Sequence, residues 1–156
     1  PDVLPFALPV ITSFAELTTY LDGHRQSDNL FYAVRVDGHF TRIKARSIAR
    51  QPEGTTLAEA AAGQSQFVFT GIDATLVGFW TPAYARTINV AGWHLHALSA
   101  DHKHGGHVLD VVGENLTASL AELADVRMVS PETAEFLEAD LTQDMSEQLA
   151  QAESDH

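Results

Sequence analysis

The sequence contains no cysteine and few basic residues. Without cysteine, disulfide bridges and thiolate metal sites are excluded, so any bound metal ion must rest on His, Asp or Glu side chains. Nine Lys and Arg residues stand against 21 Asp and Glu residues, which gives a formal net charge of −12. Such a chain lacks the basic surface that binds nucleic acid, and an anionic membrane surface would repel it. We therefore expect no nucleic-acid partner and no membrane partner.

Long hydrophobic runs are also missing. No apolar stretch approaches the roughly 20 residues that a transmembrane helix needs, and no basic segment followed by an apolar one marks a signal peptide. We expect a cytoplasmic protein. The 156 residues, 45% hydrophobic and 19% charged, are typical of a single globular domain. We interpret residues 1–156 as one domain whose acidic tail begins near residue 130, because eight acidic and no basic residues follow Arg127.

Apolar and alternating runs bounded by turn residues predict a mostly antiparallel β structure. The predicted strands cover residues 30–36, 39–46, 66–72, 74–80, 92–99, 105–112, 116–123 and 126–129. The predicted turns between neighbouring strands include Asp37-Gly38, a turn around Gly71 and Gly113-Glu114-Asn115. Helices are predicted over residues 14–22, over residues 55–63 and after Ser130-Pro131, where Leu137, Leu141, Met145 and Leu149 form an apolar stripe. The pattern predicts an α+β fold: a mainly antiparallel β-sheet, or a partly open barrel, with a few short helices near the ends.

Three histidines form the most informative pattern. His94 and His96 are two residues apart, which places both side chains on one face of a strand. His107 follows a loop rich in polar residues and glycine, so it can lie on the adjacent antiparallel strand and point the same way, with Gly105 and Gly106 giving the backbone freedom beside a crowded site. Three neutral imidazoles leave a divalent ion with open positions, as in catalytic zinc sites. The spacing therefore predicts a catalytic metal site.

The remaining histidines are interpreted as incidental. His102 and His104 fall in a predicted loop and are expected to be solvated. His24, His39 and His156 lie at turns or at the terminus. His102 and His104 are also two residues apart, but Lys103 stands between them and a loop tip is mobile.

A cationic face is the second informative pattern. Arg42, Lys44 and Arg46 alternate along one predicted strand and so share a face. Two interpretations stay open from the residues alone: a solvated face on an edge strand, or a site for an anion such as a substrate carboxylate. Arginine suits the second role better than lysine, because its planar fork matches two carboxylate oxygens.

The motifs together resemble the acetolactate decarboxylase family over about residues 29–153. The stretches that carry the resemblance are Asn29-Leu30-Phe31-Tyr32-Ala33-Val34-Arg35-Val36-Asp37-Gly38, Lys44-Ala45-Arg46-Ser47, Gly78-Phe79-Trp80-Thr81-Pro82, Gly92-Trp93-His94-Leu95-His96 and Gly105-Gly106-His107-Val108-Leu109-Asp110. The resemblance implies a zinc enzyme that converts 2-acetolactate to acetoin, and the expected ligands are His94, His96 and His107. Another divalent transition metal is compatible with imidazole ligands.

The resemblance also implies roles for two other residues. Arg46, rather than Arg42, would hold the substrate carboxylate, and a C-terminal glutamate would fold back over the metal. Glu153 is the candidate for that glutamate, with Glu147 as the second choice. In the expected mechanism, zinc binds the keto and hydroxyl oxygens of this 2-hydroxy-3-oxo acid and stabilises the enediolate that forms when carbon dioxide leaves. Glu153 or a water molecule would then donate the proton.

One departure from the family leaves alternatives open. The family carries an N-terminal region of roughly a hundred residues, with a second functional glutamate, that is not seen in this sequence. A natural short homologue, a cleavage product and a deliberate fragment are all compatible with this, and Glu16, Glu53 and Glu59 lie in no matching motif. The alternative functions are a non-catalytic or inactive metal-binding remnant, and a zinc hydrolase on an unrelated β fold. A homodimer is one assembly left open.

Overall fold

The computed structural model describes residues 3–47, 52, 54–55 and 57–153. One five-stranded antiparallel sheet forms the body of these residues. Its strands are β1 (Phe6–Ala7), β2 (Phe31–Ser47), β3 (Ser65–Thr81), β4 (Gly92–Ser99) and β5 (Gly105–Leu123). The strand order is β1-β5-β2-β3-β4, and a further pairing between β5 and β4 joins four of the strands into a ring that is not a regular barrel. The α+β, mainly antiparallel fold predicted from the sequence is confirmed.

Short helices alternate with the first strands in the chain order, and two more follow the last strand. They are α1 (Phe14–Asp22), α2 (Leu57–Ala62), α3 (Ala134–Glu138) and α4 (Ser146–Glu153), with a 3₁₀ helix over Ala83–Ala85. The prediction for α1 is confirmed at both ends, because the Ser13 hydroxyl accepts a hydrogen bond from the Glu16 N–H and caps the helix. None of these helices is long and apolar enough to cross a membrane.

The hydrophobic core lies between α1 and one face of the sheet. Leu17 and Leu21 of α1 are fully buried, and burying each of them contributes about 1.5–3 kcal/mol. The sheet contributes residues to the same core, which alternate along β2 and β4: Tyr32, Val34, Val36, Leu76, Trp93, Leu95, Val108 and Val111. The carboxylate of Asp110 accepts a hydrogen bond from the N–H of Phe14, which fixes the start of α1 against β5. The opposite face of the sheet is therefore available for a site.

Three turns predicted at glycines are wrong. Residues 37–38, 71 and 113–115 all lie inside the continuous strands β2, β3 and β5. Gly38 has a φ of 153° and approaches β5 so closely that an added Cβ would lie 2.8 Å from the carbonyl oxygen of Asn115. Gly71 and Asn115 have φ values of 58° and 53°, and the pairing of β2 with β5 shifts register beside Asp37. These residues therefore mark irregular points of long strands, which the sequence does not distinguish from reversals.

The segment after β5 also differs from the prediction. Residues 126–129 are not a strand, and α3 is capped by Thr133 rather than by Ser130. The predicted stripe does not pack as a unit, since Leu137 and Leu141 are 73% and 66% exposed. Two short helices, α3 and α4, do form in this acidic tail, as the spacing predicted, although much of the apolar stripe is exposed. Residues 154–156 lie outside the described part of the chain.

Candidate metal centre

The strand register brings the three predicted histidines to one face of the sheet. His96 on β4 is directly opposite His107 on β5, and His107 is directly opposite Arg46 on β2. Residues that oppose each other in antiparallel strands have their side chains on the same face. His94 joins them because it is two residues from His96 along β4. One face of three neighbouring strands therefore presents three imidazoles and a guanidinium.

The imidazoles converge closely enough to hold one ion. One ring nitrogen from each of His94, His96 and His107 can be chosen so that all lie within 4.8 Å of one another. The Nε2 atoms of His94 and His96 are 3.0 Å apart. Two nitrogens that each lie about 2.0–2.1 Å from one zinc ion are roughly 3 Å apart, so this pair already has the spacing of two ligands. The residues present fit a divalent transition metal.

Burial favours the neutral form of these rings. The pKa of His94 and the pKa of His96 are both lowered, mainly because burial penalises the charged imidazolium. The positive charge of Arg46 lowers both pKa values further, whereas the negative charge of Glu153 opposes the shift. Within the described part of the chain, the buried Nδ1 atom of His94 has no hydrogen-bond partner. Since a metal binds only the unprotonated nitrogen, the surroundings hold the ligands in the form that binds.

Arg46 is buried, and two of its donor atoms lack a visible partner. Its side chain is 3% exposed, and among the residues that the structure describes neither Nη atom has a hydrogen-bond partner. The nearest opposite charge is the Oε2 atom of Glu153, 3.6 Å from Nη2, which is an ion pair without a hydrogen bond. A buried guanidinium with unpaired donors is costly unless an anion completes it. Arg46 and the three histidines line one cavity of about 320 Å³, together with Ser47, Gly106 and Glu153.

The C-terminal helix α4 covers this cavity. Ala152 is 5% exposed and anchors the end of α4, while α4 packs against α2. This places the Oε2 atom of Glu153 4.0 Å from Nδ1 of His94. Glu147, the second choice from the sequence, is exposed and lines a different cavity, which it shares with Arg86. Of the two glutamates, only Glu153 lies with the histidines.

The cationic face divides into two parts. Arg42 pairs with Asp110, whereas Arg46 lies in the cavity. The interpretation as an edge strand is wrong, because β2 lies between β3 and β5. Gly106 was expected to supply backbone freedom, but its contribution is close approach: an added Cβ would lie 2.8 Å from the carbonyl oxygen of Arg46 and 3.0 Å from the Phe67 ring. Only the register between β2 and β5 reveals that role.

The other candidates lie elsewhere. His102 and His104 are exposed in the loop between β4 and β5, as predicted. His39 pairs with Asp73, and His24 contacts the carbonyl oxygen of Tyr20. Glu16 accepts hydrogen bonds from Thr12, and Glu59 is exposed on α2. Glu53 and His156 are outside the described residues.

Comparison with known proteins identifies the family. The sequence model of the alpha-acetolactate decarboxylase family matches residues 5–143. The chain belongs to this family. A curated alpha-acetolactate decarboxylase from Methanosarcina mazei is 42% identical over 149 residues, which cover 95% of this chain and 52% of the relative. The enzyme of that name from Brevibacillus brevis is 36% identical, over 93% of this chain and 51% of its own length. The chain therefore spans about half the length of these curated relatives.

A solved structure agrees with the family assignment. The crystal structure of alpha-acetolactate decarboxylase from Bacillus subtilis strain 168 superimposes with a TM-score of 0.89 at 31% sequence identity. The match covers 97% of this chain and 65% of the other. Glu153 lies beyond the end of the family-model match at residue 143, so its assignment depends on the geometry of α4.

Proposed function

We propose that this chain decarboxylates 2-acetolactate to acetoin as a zinc-dependent carboxy-lyase. The observation that carries the proposal is the position of Arg46: a buried guanidinium with unpaired donors shares one cavity with three converging imidazoles. An anion-binding group beside a metal-binding group suits a substrate that carries both a carboxylate and oxygen donors. The named activity of the family's curated members supports the same reaction.

His94, His96 and His107 would hold the metal ion. A divalent ion bound there supplies a Lewis acid that polarises a carbonyl oxygen and stabilises developing negative charge. Three imidazole ligands suit zinc, and they also suit iron, nickel or copper. The burial of His94 and His96 lowers their pKa values and so favours the neutral ligand form near pH 7.

Arg46 would bind and orient the carboxylate that leaves. Its two Nη donors can engage two carboxylate oxygens at once, which fixes the direction of the bond that breaks. Tight binding of the ground-state carboxylate would not accelerate the step in which it is lost. The 3.6 Å contact with Glu153 provides a partner that an incoming carboxylate can replace. We therefore assign Arg46 to orientation.

Glu153 would relay the proton that completes the reaction: once the substrate carboxylate replaces it beside Arg46, its carboxylate would take a proton from water and pass it on. Loss of carbon dioxide leaves an electron pair on the substrate, and acetoin forms when one proton is added to that carbon. The Glu153 carboxyl group faces the cavity from α4, on the side away from the sheet, and can deliver this proton directly or through one water molecule. Delivery from one side would give one acetoin enantiomer.

The decisive experiment measures acetoin formation by the purified, zinc-loaded chain, together with its zinc content. We expect one zinc ion per chain and turnover that depends on Arg46. The second candidate is a metal-binding protein without catalysis. Bound zinc without acetoin would support that candidate, and absence of both would contradict the assignment of the three histidines.

A further inference from the structure

A second cavity adjoins the metal centre on the side of β3. It has a volume of about 540 Å³ and shares His94 and His96 with the cavity that contains Arg46. The two histidines thus form a common wall, with β5 and Arg46 on one side and β3 on the other. Apart from Asn89 and the two histidines, the residues that line this second cavity are apolar, among them Ala33, Val77 and Phe79.

The register explains why apolar residues line this side. Val77 is directly opposite His96, and Phe79 is directly opposite His94, so these side chains share the face of the metal centre. They are nevertheless 45% and 51% exposed, which is unusual for large apolar groups beside a site that binds charge. We call the cavity lined by Ala33, Val77 and Phe79 the apolar groove.

The groove is larger than the proposed substrate requires. Its continuation is a third cavity of about 360 Å³, which shares Phe79 and Asn89 with it and is also lined by Phe31 and Ile88. A methyl group attached to a carbon near His94 and His96 would fill only the beginning of this space. The arrangement suits a ligand with a carboxylate at one end and an alkyl group at the other, with its oxygen donors between them.

We propose that the apolar groove binds the alkyl substituent of the 2-hydroxy acid whose carboxylate Arg46 holds, so that Val77 and Phe79 determine the range of alkyl lengths accepted. This inference rests on the proposed function. The charge of Arg46 fixes the end that carries the carboxylate, and the shared histidine wall directs the other end toward β3. Each methylene that enters an apolar wall should tighten binding about three- to fourfold.

The test measures dissociation constants calorimetrically for the zinc-loaded chain with 2-hydroxy-2-alkylpropanoates, from methyl to butyl. These acids lack the 3-oxo group and cannot be decarboxylated in the same way, so binding is measured without turnover. We expect affinity to rise at each step in the unmodified chain. In Val77→Ser and Phe79→Ser the rise should be largely lost, while affinity for the methyl acid changes by less than about twofold.

Val68→Ser is the matched control. Val68 lies on the same strand and is 51% exposed, but it is not part of the groove. Its variant should retain the full rise, and zinc content should be unchanged in all three variants. Equal affinities across the series, or an equal loss of the rise in Val68→Ser, would overturn the alkyl groove alone. Failure of every acid to bind would overturn the proposed function as well.

Discussion

Two arginines on the same strand, four residues apart, have opposite environments. Arg42 is partly exposed and pairs with Asp110, which also accepts the hydrogen bond that starts α1. Arg46 is 3% exposed, and its nearest carboxylate, Glu153, remains 3.6 Å away without a hydrogen bond. The more buried guanidinium is therefore the less satisfied one, which reverses the usual relation between burial and pairing.

The difference separates a structural charge from one available to a ligand. The Arg42 pair holds β2, β5 and α1 together, and its polar groups are already used. The Arg46 pair is loose, and its donors lie in a cavity with three imidazoles. Burying guanidinium donors without hydrogen bonds raises the free energy of the folded protein. Such a cost is typical of a site where a ligand supplies the missing bonds.

The largest effect is expected on the imidazole side of the cavity. His96→Ala should abolish stoichiometric zinc binding and reduce acetoin formation below detection, because two nitrogens remain where three converged. Metal analysis after dialysis, with an activity assay, measures both. His104→Ala is the control, since His104 is exposed in the loop. Full zinc occupancy in His96→Ala would contradict the assignment.

Arg46→Ala should separate binding of the metal from turnover. We expect retained zinc and a fall in kcat/KM of about 10²–10³, since an orienting and charge-binding group is removed. Arg46→Lys should recover little, because an ammonium cannot form two parallel bonds to a carboxylate. The unfolding midpoint should not fall, because the removed charge was unsatisfied. If Arg46→Ala instead lowered the unfolding midpoint strongly and left kcat/KM unchanged, Arg46 would be a structural residue like Arg42.

Arg42→Ala should show the converse. Loss of this partly exposed pair should lower the free energy of unfolding by about 1 kcal/mol, measured in urea, and leave zinc content and kcat unchanged. Asp110→Ala should cost more than Arg42→Ala, because it also removes the acceptor of the Phe14 N–H. A decrease in kcat equal to that of Arg46→Ala would remove the distinction between the two arginines.

The smallest effect concerns a third arginine of the same strand. Arg35 holds the pKa of Asp37 below its usual range by a hydrogen bond, and Thr75 adds a second one, while burial opposes the shift. A lowered carboxyl pKa stabilises the fold above its unfolded value of about 4, and this contribution is lost as the pH falls through the folded value. The unfolding midpoint should therefore be slightly higher for the unmodified chain than for Asp37→Asn at pH 7. The difference should shrink as the pH falls below about 4, and an equal difference at pH 7 and pH 3 would exclude this origin.

The sequence predicted most of what is local and periodic. The range of α1 follows from Ser13 and the spacing of three apolar residues, and the shared face of His94 and His96 follows from strand alternation. Glycines were misinterpreted because Gly38 within a bent strand and a glycine in a turn leave the same sequence signature. The spacing predicted the helices of the tail but not their packing, because helical spacing does not say what a helix packs against. Leu137 therefore remains exposed.

Some residues of the site were easier to predict than others. The convergence of the histidines follows from the pairing of two neighbouring strands, whereas the choice of Arg46 over Arg42 depends on which of them is buried. Burial in turn depends on α4, which returns to the sheet after about twenty residues with little packing. The resemblance to the family singled out Arg46 and Glu153, and the residues alone left both open. Long-range packing of a weakly patterned segment is not encoded in local spacing.

The close approach of Gly106 to β2 affects the distance between the arginine and the histidines of the cavity. One additional carbon there would act as a wedge between the strand that presents the guanidinium and the strand that presents the third imidazole. The absence of a side chain at Gly106 thus sets the distance between Arg46 and His107, which a small acid must span. An alanine at this position would increase that distance without changing any residue that binds the metal or the substrate.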